Sequence, residues 1–221
     1  MTGKIFRAAI FDMDGTLTDT LDDLHYSMNQ MLAHYNFPLL TLEQVKMFVG
    51  NGARKFLQRS LPADKLADEN FCNEALKLYN ENYISNCTRK VKPYAGIMEL
   101  LTALQSKKIP LAICTNKQHV AAVAIAEKIL SPINFACVSG DEPNQPRKPD
   151  PTRALNCAKK IGVAPDEVAY FGDTSVDIQT AINAGFLPVG VSWGFRSRAE
   201  LFDAKIIVDN PQEILDLINF S

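Results

Sequence analysis

Two carboxylates at the end of a predicted strand are the strongest chemical signal in this chain. Asp12 and Asp14 lie in the run 12–16 (DMDGT), directly after the apolar stretch 5–11, which is typical of a buried strand. A spacing of two residues at a strand end can project both acids to the same side. Neighbouring carboxylates repel each other unless a cation lies between them, and oxygen ligands suit Mg²⁺. The run predicts a magnesium site with one carboxylate free to attack and one to transfer a proton; turn-capping Asp residues are the alternative.

Further polar residues follow other predicted strands. Asp173 comes after the strand 168–171, and Asp177 lies four residues later. Thr115 and Asn116 come after the strand ending at Cys114 and before a predicted helix, whose free N–H groups could bind an anion. Lys148 lies between these two strands in a Pro-flanked loop. Each residue could instead cap a helix or face solvent, but together they predict one anion-binding and metal-binding site at a sheet edge.

The elements that must position these residues alternate between helix and strand from Gly96 onward. The predicted helices are 97–106, 118–129, 151–161, 175–183 and 211–218. The predicted strands are 109–114, 135–139, 168–171, 187–192 and 205–208. Alternating βα units predict an α/β fold, a doubly wound and mainly parallel sheet of Rossmann-like type with helices on both faces.

A block of helical patterns interrupts this alternation after the first strand. Apolar spacing predicts one helix from Leu21 that ends before Pro38, further helices over 42–49 and from Ala53, and a longer one over 64–83. The chain is therefore predicted to hold a discontinuous catalytic core, residues 1–17 and 92–221, that carries an inserted helical cap, residues 18–91.

Composition narrows the class of partner. The 221 residues include 23 basic and 25 acidic side chains, and the absence of a long basic run argues against nucleic-acid binding. No apolar segment has the length of a membrane span, and no signal-peptide pattern begins the chain. Five cysteines without a C-x-x-C pair favour reduced thiols and a cytoplasmic location. The sequence does not reveal the oligomeric state.

Taken in order, the motifs resemble those of the haloacid-dehalogenase superfamily of phosphotransferases. Residues 12–16 are similar to its first motif, Thr115-Asn116 to its second, Lys148 to its third and residues 172–177 to its fourth. The helical block resembles the small α-helical cap of that superfamily. The stretch 49–52 (VGNG), followed by a basic helix, resembles the cap loop of its phosphoglycolate-phosphatase-like members. The resemblance implies hydrolysis of a small phosphate monoester, such as phosphoglycolate.

The resemblance also implies a role for each motif residue. Asp12 would be the nucleophile that forms an aspartyl-phosphate, and Asp14 the general acid and then the base. The residues expected to hold Mg²⁺ are Asp12, Asp14 through its backbone carbonyl, Asp173 and, further out, Asp177. The residues expected to bind the phosphoryl oxygens are Thr115, Asn116 and Lys148, and Lys148 would also offset repulsion between Asp12 and the substrate.

Substrate choice is predicted to depend on the start of the third cap helix. Asn51, Gly52 and Arg54 could face the core site when the cap closes, an arrangement suited to a small anionic substrate such as a phosphorylated hydroxy acid. A solvated helix face is the alternative interpretation of Arg54.

Three other functions share part of this pattern. A phosphomutase of the β-phosphoglucomutase type would use the same core residues. A phosphonatase would need a Schiff-base lysine in the cap, for which Lys46, Lys55 and Lys65 are available. A signalling receiver would be phosphorylated without turnover, and the inserted cap and Asp14 argue against it.

Overall fold

Strands and helices alternate along most of the chain in the computed structural model, which describes residues 4–221. The strands are β1 (Ile5–Phe6), β2 (Ala8–Phe11), β3 (Thr18–Asp19), β4 (Lys92–Pro93), β5 (Leu111–Gln118), β6 (Phe135–Asp141), β7 (Val168–Gly172), β8 (Leu187–Val191), β9 (Ile206–Val208) and β10 (Asn219–Phe220). The α-helices are α1 (Leu21–His34), α2 (Leu42–Phe48), α3 (Ala53–Ser60), α4 (Glu69–Asn86), α5 (Ile97–Ser106), α6 (His119–Lys128), α7 (Thr152–Ile161), α8 (Ser175–Ala184) and α9 (Gln212–Leu217).

Six strands form a parallel sheet in the order β6–β5–β2–β7–β8–β9. Ile10 and Phe11 are neighbours on β2 but belong to different apolar clusters, because successive strand side chains point to opposite faces. The Ile10 cluster includes residues of α7 and α8, and the Phe11 cluster includes residues of α5, α6 and α9. Helices therefore cover both faces, and the predicted doubly wound α/β fold is confirmed.

The strand order changes direction at β2. From β2 the chain adds β5 and β6 on one side, and then crosses over to add β7, β8 and β9 on the other. In open α/β sheets, ligands bind outside the carboxyl ends of the strands at such a point. The residues that follow β2, β5 and β7 are thus brought to one edge.

Two short pairs of strands lie outside this sheet. The predicted strand over 5–11 is divided at Arg7, whose backbone N–H donates to the carbonyl of Glu167 at 2.8 Å, and β1 pairs with β10 instead. Strands β3 and β4 are antiparallel and pair Thr18 with Pro93. They bring together the two ends of the segment that holds α1 to α4, here called the helical insertion (Leu21–Asn86).

The helices of the insertion pack on one another, α1 against α2 and α4, and α3 against α4. The helix predicted over 64–83 begins at Glu69 instead. The side chain of Asp68 accepts a hydrogen bond from the N–H of Phe71 at 3.0 Å and so caps the helix there. The division into core and cap stays a prediction. No helix within residues 4–221 is both long and apolar enough to cross a membrane.

Candidate active site

Three acids meet beyond the carboxyl ends of β2 and β7. Asp12 follows β2, Asp173 follows β7, and Asp177 lies in the first turn of α8. All three are buried, and one oxygen of each lies within 4.8 Å of the others. Burial, together with the charges of Asp177 and Asp12, raises the pKa of Asp173 well above its usual value. The cluster therefore needs a cation close by in order to hold its charge.

Lys148 supplies one cation to this cluster. Its ammonium donates to Asp177 Oδ1 at 2.5 Å and lies 2.9 Å from Asp12 Oδ1. Burial alone would lower the pKa of Lys148, but the carboxylates of Asp12 and Asp177 raise it above its ordinary value. The lysine is thus held in its charged form beside Asp12, where it can neutralise an incoming anion.

Asp177 is already engaged by the protein. Its second oxygen accepts hydrogen bonds from the N–H and the hydroxyl of Thr174, at 3.1 and 2.7 Å, in a capping interaction at the start of α8. Burial, followed by the nearby charge of Asp12, raises the pKa of Asp177. Because both oxygens have partners, Asp177 is suited to orienting Lys148; its predicted metal role stays a prediction.

The backbone closes tightly around Asp173. The N–H of Phe195 donates to Asp173 Oδ2 at 2.7 Å. A Cβ at Gly194 would lie 2.3 Å from Asp173 Cβ, and a Cβ at Gly15, where φ is +79°, would lie 2.3 Å from Asp173 Oδ2. Only glycine fits at these two points, so the carboxylate is fixed by the chain around it.

The donor set fits a divalent metal. Asp12 and Asp173 are hard oxygen ligands from neighbouring strands, and Mg²⁺ is bound by one or two carboxylates with its remaining positions left to water and substrate. Asp12 Oδ1 is buried and accepts no hydrogen bond from residues 4–221. The ammonium of Lys148 lies 2.9 Å from it, but the angles are not those of a hydrogen bond. Asp12 and Asp173 are therefore the side chains that could hold Mg²⁺, and the predicted role of the Asp14 backbone carbonyl stays a prediction.

Asn116 fixes the loop of Lys148. Its Oδ1 accepts from the backbone N–H of Lys148 at 2.9 Å, and its Nδ2 donates to the Lys148 carbonyl at 3.2 Å. Its oxygen and one of its two N–H groups are thus engaged. The buried hydroxyl of Thr115 accepts the N–H of Lys117 at 3.2 Å and keeps its own proton for a ligand. The contacts of Asn116 indicate that it positions Lys148, and its predicted phosphoryl contact stays a prediction.

The helix predicted over 118–129 begins at His119, three residues after Asn116. Strand β5 continues through Gln118, where it pairs with Asp141 of β6 after a register shift, and α6 begins only at His119. The extra strand pairing holds residues 115–118 extended. The N-terminus of α6 therefore lies three residues beyond the motif, and anion binding by it stays a prediction.

Arg153 is a structural partner that the motif search missed. It lies on α7, is 3% exposed, and donates to the carbonyls of Thr115 at 2.7 Å and Pro146 at 2.9 Å and to Asn116 Oδ1 at 2.7 Å. A signal was present, because helical spacing places Arg153 on the same buried face as Ala154 and Cys157.

The side chain of Asp14 has partners outside the acid cluster. Its Oδ1 accepts from the hydroxyl of Thr20 at 2.8 Å and from the ammonium of Lys117 at 2.7 Å. Lys117 also lies over the ring of Tyr83 on α4, with its nitrogen 4.6 Å from the ring centroid. Asp14 is thus linked through Lys117 to α4, and nothing in the sequence pattern pointed to Lys117.

Two residues of the loop after β8 connect the site with its surroundings. The indole N–H of Trp193 donates to the carbonyl of Thr16 at 3.0 Å, which is an anchor for the first motif beyond the core packing expected of a Trp. The guanidinium of Arg196 donates to the carbonyls of Met47 at 3.0 Å and Val49 at 2.8 Å at the end of α2. The loop thereby joins the sheet edge to the helical insertion.

A cavity lies between the sheet edge and the helical insertion. Asp12, Asp14, Thr115 and Asn116 line it from the strand ends, and residues of α3 and α4 line it from the other side.

Of the three residues predicted to select the substrate, only Gly52 lines this cavity. Asn51 lies in a neighbouring surface depression beside Thr174. Arg54 donates to Asn73 Oδ1 at 2.8 Å and Glu69 Oε2 at 2.5 Å, within the insertion, and lines a different depression. The structure therefore brings the core residues together and leaves Arg54 outside them.

Comparisons with known proteins agree with this arrangement. The family model of haloacid dehalogenase-like hydrolases matches residues 9–191. A phosphoglycolate phosphatase of Chromobacterium violaceum is 28% identical over 220 residues, covering 99% of both chains. A phosphoglycolate phosphatase of Mesorhizobium japonicum is 33% identical over 190 residues, covering 86% of this chain and 84% of its own.

A solved structure resembles the whole molecule. A protein from Lactobacillus delbrueckii subsp. bulgaricus, proposed to be a phosphoglycolate phosphatase, superposes with a TM-score of 0.88 at 29% identity and covers 98% of this chain and 99% of its own. The matched residues include all the motif residues of the site. The chain therefore belongs to the haloacid dehalogenase-like hydrolase family.

Proposed function

We propose that this protein is a magnesium-dependent phosphatase that hydrolyses a small phosphate monoester, phosphoglycolate or a close analogue, through an aspartyl-phosphate on Asp12. The observation that carries the proposal is the buried pairing of Asp12 with Lys148 at 2.9 Å beside Asp173, with Asp14 two residues along the chain. The names of the relatives support the choice of substrate.

In the first step a carboxylate oxygen of Asp12 attacks phosphorus. The bond to the ester oxygen breaks, and Asp14 gives its proton to the leaving alcohol. Lys148 neutralises the charge that accumulates as the phosphoryl group approaches Asp12, and the hydroxyl of Thr115 has a free proton to donate to a phosphoryl oxygen. Positioning and charge stabilisation carry most of the rate in phosphoryl transfer.

In the second step water attacks the phosphorus of the acyl-phosphate. Asp14, now ionised, takes a proton from that water, and Asp12 leaves as a free carboxylate together with inorganic phosphate. Mg²⁺ held by Asp12, Asp173 and the backbone carbonyl of Asp14 would add charge stabilisation of the phosphoryl oxygens and in-line alignment.

The helical insertion supports the same chemistry by covering the site. Phe56, Tyr79 and Tyr83 line the cavity opposite the acids. Closing of such a cover over the substrate excludes bulk water, and opening releases the products. The insertion is proposed to act as the cap in this sense.

Release of inorganic phosphate from phosphoglycolate tests the proposal. Saturable turnover is expected with Mg²⁺, loss of turnover with a chelator, and recovery when Mg²⁺ is added back. Labelling of the protein without turnover would identify a receiver instead. Conversion of one sugar phosphate into another without release of phosphate would identify a phosphomutase.

A further inference from the structure

Lys117 is a buried cation at the candidate site to which no role has been given so far. Its side chain is 2% exposed, and it lines the cavity between the sheet edge and the helical insertion. A buried ammonium is costly unless it is paired, and Asp14 Oδ1 at 2.7 Å and the ring of Tyr83 at 4.6 Å provide that compensation. The ammonium has three N–H donors. Within residues 4–221 it makes one hydrogen bond, to Asp14, so donors remain for a ligand.

The other cations near the cavity are already committed. Lys148 is held between Asp12 and Asp177 on the acid cluster. The guanidinium of Arg196 donates to backbone carbonyls of the helical insertion. Arg54 is paired with Glu69 and does not line this cavity. In the described part of the chain, Lys117 is therefore the cation of this cavity with donors to spare.

The position of Lys117 relates it to the leaving group. Under the proposed function Asp14 protonates the ester oxygen, and Lys117 binds an oxygen of that same carboxylate on the side of α4. In phosphoglycolate a single methylene separates the ester oxygen from the carboxylate carbon. We propose that Lys117 binds the carboxylate of a short 2-phosphorylated hydroxy acid and so selects substrates that carry a second anion beside the ester oxygen. This inference rests on the proposed function.

A matched pair of substrates isolates this contact. Phosphoglycolate and 2-hydroxyethyl phosphate have the same phosphorylated two-carbon frame, and the second replaces the carboxylate by a neutral hydroxymethyl group. Hydrogen bonds to charged groups contribute about 1.5–3 kcal/mol, so Lys117→Met should lower kcat/KM for phosphoglycolate by about 100-fold relative to 2-hydroxyethyl phosphate. Lys107→Met, at an exposed position after α5, is the control and should change neither value.

A second variant separates substrate binding from support of Asp14. Lys117→Gln keeps a donor that can reach Asp14 but has no charge. It should therefore also lose the preference for phosphoglycolate, and its kcat/KM for 2-hydroxyethyl phosphate should fall less than that of Lys117→Met. The dissociation constant of phosphonoacetate, measured by calorimetry, should rise in both variants, and that of ethylphosphonate should stay near the wild-type value.

The outcomes distinguish the two proposals. If both substrates lose kcat/KM equally in the Lys117 variants, or if neither does, Lys117 does not bind the carboxylate, and the phosphatase assignment stands. If the wild-type protein releases no phosphate from phosphoglycolate, the proposed function itself fails. If Lys117→Met does not fold, the Lys117→Gln variant and its phosphonoacetate affinity decide the question.

Discussion

The two sides of the site are built in different ways. The acid side consists of Asp12, Asp173, Asp177 and Lys148, all of them buried, on or beside the strand ends of one sheet. The Asp14 side consists of Asp14, of Lys117 on β5, and of Tyr83 on α4 of the helical insertion. The side chain of Asp14 is 20% exposed. On the acid side, the pairing of Phe11 with Phe171 sets the spacing of the carboxylates; on the Asp14 side, the contacts depend on how α4 lies over the sheet.

This difference separates the residues that should act on every substrate from Lys117, which is proposed to recognise one class of substrate. The acid side keeps its geometry whatever the position of the helices, because its residues are held by sheet register and by the backbone of Gly15 and Gly194. A defect there should affect every substrate equally. On the Asp14 side, the contact of Lys117 with Tyr83 depends on the position of the helical insertion, so a defect at Lys117 should depend on which substrate is bound.

The largest expected effect comes from the nucleophile. An amide cannot form the acyl-phosphate, so Asp12→Asn should lower kcat by a factor of about 10⁴ or more for phosphoglycolate and for an aryl phosphate alike. Circular dichroism should show an unchanged fold, and Asp22→Asn, at an exposed acid on α1, should keep full activity. Wild-type turnover in a folded Asp12→Asn protein would disprove the proposed chemistry.

Asp173 is expected to combine loss of activity with a gain in metal-free stability. Burial and the neighbouring acids raise the pKa of Asp173, which means that its charge destabilises the protein when no metal is bound. Asp173→Asn removes that charge and keeps an oxygen for the N–H of Phe195, so the unfolding temperature in chelator should rise by about 2–4 °C for each kcal/mol gained.

Magnesium should reverse that order of stability. Bound Mg²⁺ should raise the unfolding temperature of the wild-type protein, by mass action, and leave Asp173→Asn unchanged and inactive. Asp166→Asn, at an exposed acid, is the matched control. An equal rise with Mg²⁺ in wild type and in Asp173→Asn would remove Asp173 from the metal site.

The acid side was largely predictable from the sequence. Asp12 and Asp173 come directly after apolar strands, and the carboxyl ends of neighbouring parallel strands meet at one edge, so their proximity follows from the pattern alone. Asp177 follows from its place one helical turn further on. The pattern could not show that Asn116 holds the Lys148 loop. That role depends on hydrogen bonds between residues 32 positions apart in the chain.

The Asp14 side was not predictable in the same way. Lys117 is buried because β5 runs on to Gln118, which pairs with Asp141 of β6 after a register shift. That pairing is set by tertiary contacts and not by the local sequence. Arg196 acts through carbonyls at the end of α2, about 150 residues away in the chain. Arg54 was predicted from charge and position on a helix, but the acid that pairs with it lies on the next helix of the insertion. Partners that lie this far apart in the chain form no regular spacing that a sequence pattern could reveal.

An intermediate effect on stability and activity is expected at Arg153, which binds the residues that position the Lys148 loop. Arg153→Met leaves the carbonyls of Thr115 and Pro146 without this donor and removes one of the two donors to the amide oxygen of Asn116. Each buried acceptor left unpaired costs about 1–3 kcal/mol. Urea unfolding should show a loss of about 3 kcal/mol, and kcat should fall about 10- to 100-fold for both kinds of substrate because the Lys148 loop is loosened. Arg7→Met, at an exposed arginine, is the control and should change neither. An effect confined to one substrate would give Arg153 a part in substrate recognition instead.

The smallest effect is expected at Arg54, the residue predicted to grip the substrate. Its guanidinium is bound by Glu69 and Asn73 of α4, and it lies outside the cavity that contains Asp14 and Lys117. Exposed ion pairs of this kind contribute about 0–1 kcal/mol, so Arg54→Ala should change kcat/KM by less than about 3-fold for both phosphoglycolate and an aryl phosphate, and Glu69→Gln should behave in the same way. A strong loss for phosphoglycolate alone would mean that Arg54 leaves Glu69 and turns toward the substrate when the insertion closes. Recognition would then come from the helices as well as from Lys117, and Glu69→Gln, which frees Arg54, should in that case improve the kcat/KM for phosphoglycolate.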